Sequence, residues 1–279
     1  MYSAEISRAN PTCFLFLIDR SGSMNEVFGG ESGKRKADGV ADAINRLLQT
    51  LVFRCSKGEM ILDRYYIGVI GYGNNVVSSA LGGPLAGQGL VPVSEIGNKP
   101  LRIETRVKRM DDGAGGIMEQ TVKFPVWFEP VAEGGTPMCA ALNLARDTIQ
   151  DFVNNCPTCF PPIVINITDG EANDGNPEPA AAALQAVTTE DGNVLLFNAH
   201  LSKKNEAPIK FPVHESQLPD EYARMLFRMS SPLPPEMLKQ ARNAEVSVAE
   251  GARGFVFNAD LVAVIKFLDI GTRIDRGLG

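Results

Sequence analysis

The chain has 279 residues, 44% hydrophobic and 22% charged, with 27 lysines and arginines against 33 aspartates and glutamates and a formal net charge of −6. That composition is globular, long enough for one large α/β domain or two small ones, and its negative balance weighs against a general nucleic-acid binder. No apolar run approaches the ~20 residues of a membrane helix, no signal-peptide pattern opens the chain, and an odd number of cysteines suits a reducing compartment, so a cytoplasmic protein without membrane insertion is expected.

Residues 13–18 (CFLFLI) are apolar without alternation, the pattern of a strand buried on both faces. The run stops at Asp19, and the following Arg-Ser-Gly-Ser sets oxygen-bearing side chains at alternate positions, Asp19, Ser21 and Ser23, around a glycine that bends tightly. A helix is expected over 34–55, where Ala37, Val40, Ala41, Ile44, Leu47, Leu48, Leu51 and Val52 form one apolar face. Residues 64–71 read as the second strand, which implies a right-handed parallel crossover. Gly- and Pro-rich 81–99 shows no period and reads as irregular loop. Segments 101–110 and 117–128 read as an antiparallel hairpin at a sheet edge, turning at 111–116, with Pro125 tolerated on an edge strand.

Glu133-Gly-Gly-Thr136-Pro137 brings a hydroxyl to the start of a helix with Met138, Ala141, Leu142, Ala145, Ile149, Phe152 and Val153 on its buried face. Thr136 has two competing tasks, helix N-cap and ligand, and the two glycines before it favour the ligand. Residues 161–168 form another buried strand, ending in Asp169-Gly170-Glu171. Helices at 176–188, 220–229, 235–246 and 260–268 and strands at 193–201 and 254–258 complete the expected set, with an unordered tail at 270–279. The fold expected is a doubly wound α/β domain with a mainly parallel sheet, a single unit over 1–279 with insertions at about 74–130 and 203–234.

Asp19, Ser21, Ser23, Thr136 and Asp169 thus gather two carboxylates and three hydroxyls from three separate loops. An all-oxygen set suits a hard cation, Mg²⁺ or Mn²⁺ more than Ca²⁺, and leaves part of an octahedral shell to other ligands. The three pieces DRSGS (19–23), GGTP (134–137) and ITDGE (167–171), in this order and each at a strand end, resemble the metal-ion-dependent adhesion site of von Willebrand factor A domains. The resemblance covers nearly the whole chain and points to an intracellular, bacterial-type branch. It implies a Rossmann-like fold, direct ligation by the two serines and the threonine, and aspartates that often act through water. It also implies a binding function without catalysis, in which a partner protein's Asp or Glu takes the remaining metal position. Glu171 and Asp174 are expected at the rim of the site.

Two other functions use the same residues. A scaffold subunit would bind through its insertions and keep a vestigial metal site. A Mg²⁺-dependent phosphohydrolase would need a carboxylate two residues after the nucleophile, where Ser21 stands, and a lysine, which follows neither strand closely. Residues 169–180 fail as a calcium loop, with Asp174 at the glycine position and Ala180 at the terminal glutamate. Residues 71–76 lack the third glycine of a dinucleotide site. Cys156 and Cys159 read as structural thiols, His200 and His214 have no partner in the pattern, and the basic groups Lys34-Arg35-Lys36 and Arg102, Arg106, Lys108 and Arg109 read as solvated faces. The identity of the partner and the oligomeric state are open at this level.

Overall fold

The computed structural model describes residues 2–27, 33–111, 117–201, 208–243 and 246–259. In chain order its main elements are β1 (Thr12–Asp19), α1 (Lys36–Cys55), β2 (Tyr65–Gly73), β3 (Val76–Ser79), β4 (Val91–Pro92), α2 (Val93–Asn98), β5 (Arg102–Asp111), β6 (Ile117–Val126), α3 (Met138–Asn155), β7 (Ile163–Thr168), α4 (Glu178–Gln185), β8 (Leu195–Leu201), β9 (Ile209–Lys210), α5 (Glu221–Arg228), α6 (Pro235–Asn243) and β10 (Phe255–Ala259). The sheet order is β9-β10-β8-β7-β1-β2-β3, with β4 also beside β2. Strands β1, β2, β7, β8 and β10 run parallel, while β3, β4 and β9 are antiparallel at the edges.

Alternation along β1 divides the core. Phe14, Phe16 and Ile18 point into a layer with Val40, Ile44 and Leu48 of α1 and Met237 of α6. Cys13, Leu15 and Leu17 point into the opposite layer with Leu142 and Ile149 of α3, Leu184 of α4 and Leu226 of α5. Successive side chains of a strand face opposite ways, so a strand apolar at every position demands cover on both faces. The result is the doubly wound, Rossmann-like architecture. From β1 the chain first builds outward through β2, then returns to the other side of β1 for β7, β8 and β10. The switch point therefore falls between β1 and β7, and their C-terminal ends carry Asp19 and Asp169.

Three local departures from the sequence reading have physical causes. Segment 81–99 contains β4 and α2, whose two and six residues are too short to display a period. The antiparallel edge hairpin of the sheet is β2–β3, joined through Asn74 and Asn75, both at positive φ. The hairpin expected from 101–128 forms with a continuous register from Arg102↔Val126 to Asp111↔Ile117, but it is a two-stranded ribbon of its own. Strands β3 and β4 already occupy the edge beside β2, so the ribbon attaches instead to α1. Asn45 accepts from the Trp127 and Phe128 amides at 2.8 and 3.1 Å and donates to the Phe128 carbonyl at 2.8 Å. Arg106 lies 3.6 Å from the Phe124 ring centroid and pairs with Asp42 and Glu104, so this part of the basic group is internally neutralised.

Helix α5 matches its expectation, with Asp220 capping it through Ala223 N at 2.8 Å. Helix α4 ends at Gln185, short of 188. The turn at 112–116, the helix at 260–268 and the tail at 270–279 lie outside the described residues. Among the described residues no helix is long and apolar enough to cross a membrane.

Candidate functional site

Open α/β sheets bind ligands beyond the carboxyl ends of strands at the switch point, and all five oxygen-bearing residues meet there. Asp19 ends β1 with 1% of its surface exposed. Its Oδ1 accepts from the Ser21 amide at 2.8 Å, and its Oδ2 accepts from the Thr168 hydroxyl at 2.7 Å. The Ser21 and Ser23 hydroxyls lie 3.0 Å apart, and Ser23 donates to Asp169 Oδ1 at 2.6 Å. Thr136 joins them across Gly170. A Cβ on Gly170 would stand 3.4 Å from Thr136 Oγ1, 3.7 Å from Ser23 Oγ and 4.0 Å from Asp19 Oδ2. The glycine leaves a small cradle on its own loop, walled by oxygens from the other two.

Backbone hydrogen bonds tie those loops together. Gly22 N donates to Gly134 O at 2.9 Å, Glu133 N to Arg20 O at 2.6 Å and Asn173 N to Thr136 O at 3.1 Å. Gly134 sits at φ +67, where a side chain is strained and a Cβ would also meet Asn74 at 2.5 Å. The competition for Thr136 is decided by geometry. Pro137 occupies the N-cap of α3 with no side-chain cap bond, and the free amides of Cys139 and Ala140 are instead bound at 3.1 and 2.9 Å by Asp174. A carboxylate from the 169–177 loop therefore caps α3, which leaves the Thr136 hydroxyl to face the cradle. Asp174, expected at the rim, serves as that cap, and Glu171 is exposed on a neighbouring groove lined also by Tyr222, Met225 and Arg228.

Lys36 corrects the reading of 34–36 as a solvated basic run. Lys34 and Arg35 do pair at the surface, with Asp42 and Asp38. Lys36 is 1% exposed, and its ammonium donates to Asp169 Oδ2 at 2.5 Å and to Glu26 Oε2 at 3.1 Å. The signal was present, because 36 precedes Val40, Ile44 and Leu47 on the apolar stripe of α1. Two further residues were missed. Thr168 holds Asp19, and Tyr222 of α5 donates its hydroxyl to the Gly170 carbonyl. Nothing local to Tyr222 announces this, since it arrives from 52 residues away.

Burial pushes the Asp19 carboxyl up from 3.8 to about 6, against hydrogen bonds from Ser21 and Thr168 and with the charge of Asp169 adding to the rise. The cluster thus holds a carboxylate that is expensive to ionise. Every donor is a carboxylate or hydroxyl oxygen, and among the described residues no group of three or more His, Cys, Asp or Glu side chains that could hold a metal forms at this site or at any other. The donor chemistry fits a hard divalent cation and not zinc. Burial also raises the Cys156 and Cys159 thiols, Cys159 to about 12, opposite to the shift of a reactive thiolate.

No family model matches the chain, and neither does any curated protein. Among solved structures, it is similar to the vWF domain of the type V pili tip protein Mfa5 from Porphyromonas gingivalis, at 14% identity and a TM-score of 0.41, with 99% of each chain covered.

Proposed function

We propose that the protein is a metal-dependent interaction module of the von Willebrand factor A type. In this reading Ser21, Ser23 and Thr136, with Asp19 and Asp169, hold Mg²⁺ or Mn²⁺, and an Asp or Glu of a partner protein completes the metal's ligands. The observation that carries it is the cradle over Gly170, where the hydroxyl and carboxylate oxygens of Asp19, Ser23 and Thr136, from two loops, converge beside a third on space that a single methyl group would fill. The ion supplies a hard positive charge to a partner carboxylate. Lys36 offsets one of the two site carboxylates, so a divalent ion held there would keep more of its attraction for an incoming anion than the two aspartates alone would leave it.

Gly170→Ala tests this without changing any charge. The contacts of the new methyl group, at 3.4–4.0 Å, are ordinary van der Waals distances, so the fold should persist with a stability change within about 1 kcal/mol. Calorimetric titration with Mg²⁺ and Mn²⁺ should show binding to the parent chain and none, or at least tenfold weaker binding, to the variant. A parallel pulldown from lysate with Mg²⁺ and with EDTA should retain the partner only with Mg²⁺. Equal retention in EDTA would move the binding surface to the insertions at 74–130 and 203–234 and favour the scaffold function.

Lys36 also bears on the phosphohydrolase reading, which had lacked a lysine. It stands close to Asp169, as such an enzyme would need. Its ammonium is committed to two carboxylates, however, and both oxygens of Asp19, the candidate nucleophile, are engaged by Ser21 and Thr168. These contacts favour a binding site over phosphoryl transfer.

A further inference from the structure

Arg20, between Asp19 and Ser21, takes no part in the oxygen cluster. Its backbone is fixed on both sides, with its amide donating to Tyr72 O at 2.8 Å and its carbonyl accepting from Glu133 N at 2.6 Å. The side chain turns away from the cradle and lies along β2, its guanidinium carbon 5.1 Å from the Phe128 ring centroid. Two strand glycines make room for Arg20, Gly71 for its side chain and Gly73 for its backbone. A Cβ on Gly71 would come within 2.5 Å of Arg20 Nε, and one on Gly73 within 2.6 Å of Arg20 O. Glycine weakens a strand, and two at alternate positions clear the same face for one arginine.

Among the described residues that arginine has no counter-ion, and its Nε is buried without a hydrogen-bond partner. Arg106 and Arg228, by contrast, are each paired with two or more carboxylates. A guanidinium drawn out of water usually meets a carboxylate or phosphate that matches its fork. Here it borders an open pocket of about 170 Å³ instead. Asn74 and Ser78 supply polar walls, Val76 and Val131 supply apolar ones, and Glu133 supplies the single acidic group.

We propose that Arg20 and this pocket form a second anion site, which takes a carboxylate side chain of the same partner protein that the oxygen cluster engages. The identity of the occupant rests on the adhesion-site reading; the site itself rests on the unpaired arginine and its cleared pocket. A carboxylate is favoured over a phosphate because one cation and one acidic wall can accept a monoanion but repel a dianion, and because the valines suit the methylene stem of Asp or Glu. The partner would therefore present two acidic side chains, one to the metal and one to Arg20.

The test is a nuclear magnetic resonance titration of the full chain in EDTA, with sodium propionate, a monoanion like the side chain it stands for, as probe and sodium phosphate in a parallel arm. Propionate should produce saturable shifts at the Arg20 Nε–H and at the amides of Asn74, Ser78 and Glu133. Arg20→Gln should weaken the binding about tenfold or more, the loss expected for a charge-assisted pair. Arg20→Lys, which keeps the charge but not the fork, should fall between, and Glu133→Gln should tighten binding. Absence of saturable shifts in the parent chain, or equal affinity in Arg20→Gln, would overturn the site. Tighter binding of phosphate than of propionate would overturn the carboxylate assignment. Addition of Mg²⁺ separately reports the cluster through the amides of Ser23, Thr136 and Gly170. Propionate shifts without any Mg²⁺ response would leave the Arg20 site standing and remove the metal anchor.

Discussion

Substituting methionine for Lys36 should destabilise the metal-free protein by about 3–5 kcal/mol, the usual consequence of removing one partner from a buried ion pair. Methionine nearly matches the volume of the lysine stem, so little of the loss would come from a cavity. What remains is Asp169, whose side chain is 0% exposed, stripped of the ammonium 2.5 Å from its Oδ2 and left beside a second buried carboxylate. Urea unfolding in EDTA measures the loss. The variant should recover more stability than the parent when Mg²⁺ is added, because the ion supplies the missing positive charge to the folded state alone. Combining Lys36→Met with Asp169→Asn should recover much of the deficit, since the buried charge that lost its partner is then gone. Equal urea midpoints for the parent and Lys36→Met would show that the charge of Asp169 is satisfied without the lysine.

Asp19→Asn should act in the opposite direction and depend on pH. The folded carboxyl titrates near 6 and the unfolded one near 3.8. A folded value above the unfolded one makes the acid form a source of stability that is fully present below the unfolded value and lost as pH rises through the folded one. Ionised Asp19 therefore costs the metal-free protein roughly 3 kcal/mol, from about two units at 1.36 kcal/mol each. The amide removes that cost while fitting the same bonds. Its oxygen can accept from the Ser21 amide, and its NH₂ can donate to Thr168, whose hydroxyl then turns to the Gly170 carbonyl 3.1 Å away. In EDTA the variant should be about 2–3 kcal/mol more stable than the parent at pH 8 and close to it at pH 4. Its Mg²⁺ affinity should fall at least tenfold, because a neutral amide replaces an anionic ligand. A stability difference that stays flat between pH 4 and 8 would show that burial does not load Asp19 in this way.

The parts of the fold legible in sequence are those where burial imposes a long pattern. Residues 13–18 are apolar throughout, and 163–168 apolar except for Asn166 and Thr168, because both strands are covered on both faces, and α1 and α3 repeat apolar residues on one face over five turns each. Strand β3 and helix α2 escaped because they are short and partly exposed, and the 101–128 ribbon was recognisable as a hairpin but not in its placement, which depends on Asn45 and Asp42 of a distant helix. At the site, the five oxygen-bearing residues were readable because each follows a strand end or a glycine turn. Lys36 was hidden inside a basic tripeptide whose other two members are surface residues. Tyr222 was out of reach, and so was the capping role of Asp174, which was expected only at the rim, because each acts on an element far along the chain, by closing Gly170 and capping α3.

The bonds that stitch the three loops together also set how the site can move. The amides of Gly22, Glu133 and Asn173 lie beyond the ends of the sheet, yet each is held by a carbonyl from another loop rather than by its own. All three bonds have one end in the 133–136 loop, so lifting that loop breaks every one of them, whereas lifting the 169–177 loop breaks only the Asn173 bond and leaves the other two closed. Local unfolding here should therefore be centred on 133–136, whose opening releases all three amides to hydrogen exchange. A lengthened loop at 133–136 would accordingly loosen both of its neighbours, and neither neighbour could be grafted onto another sheet without it.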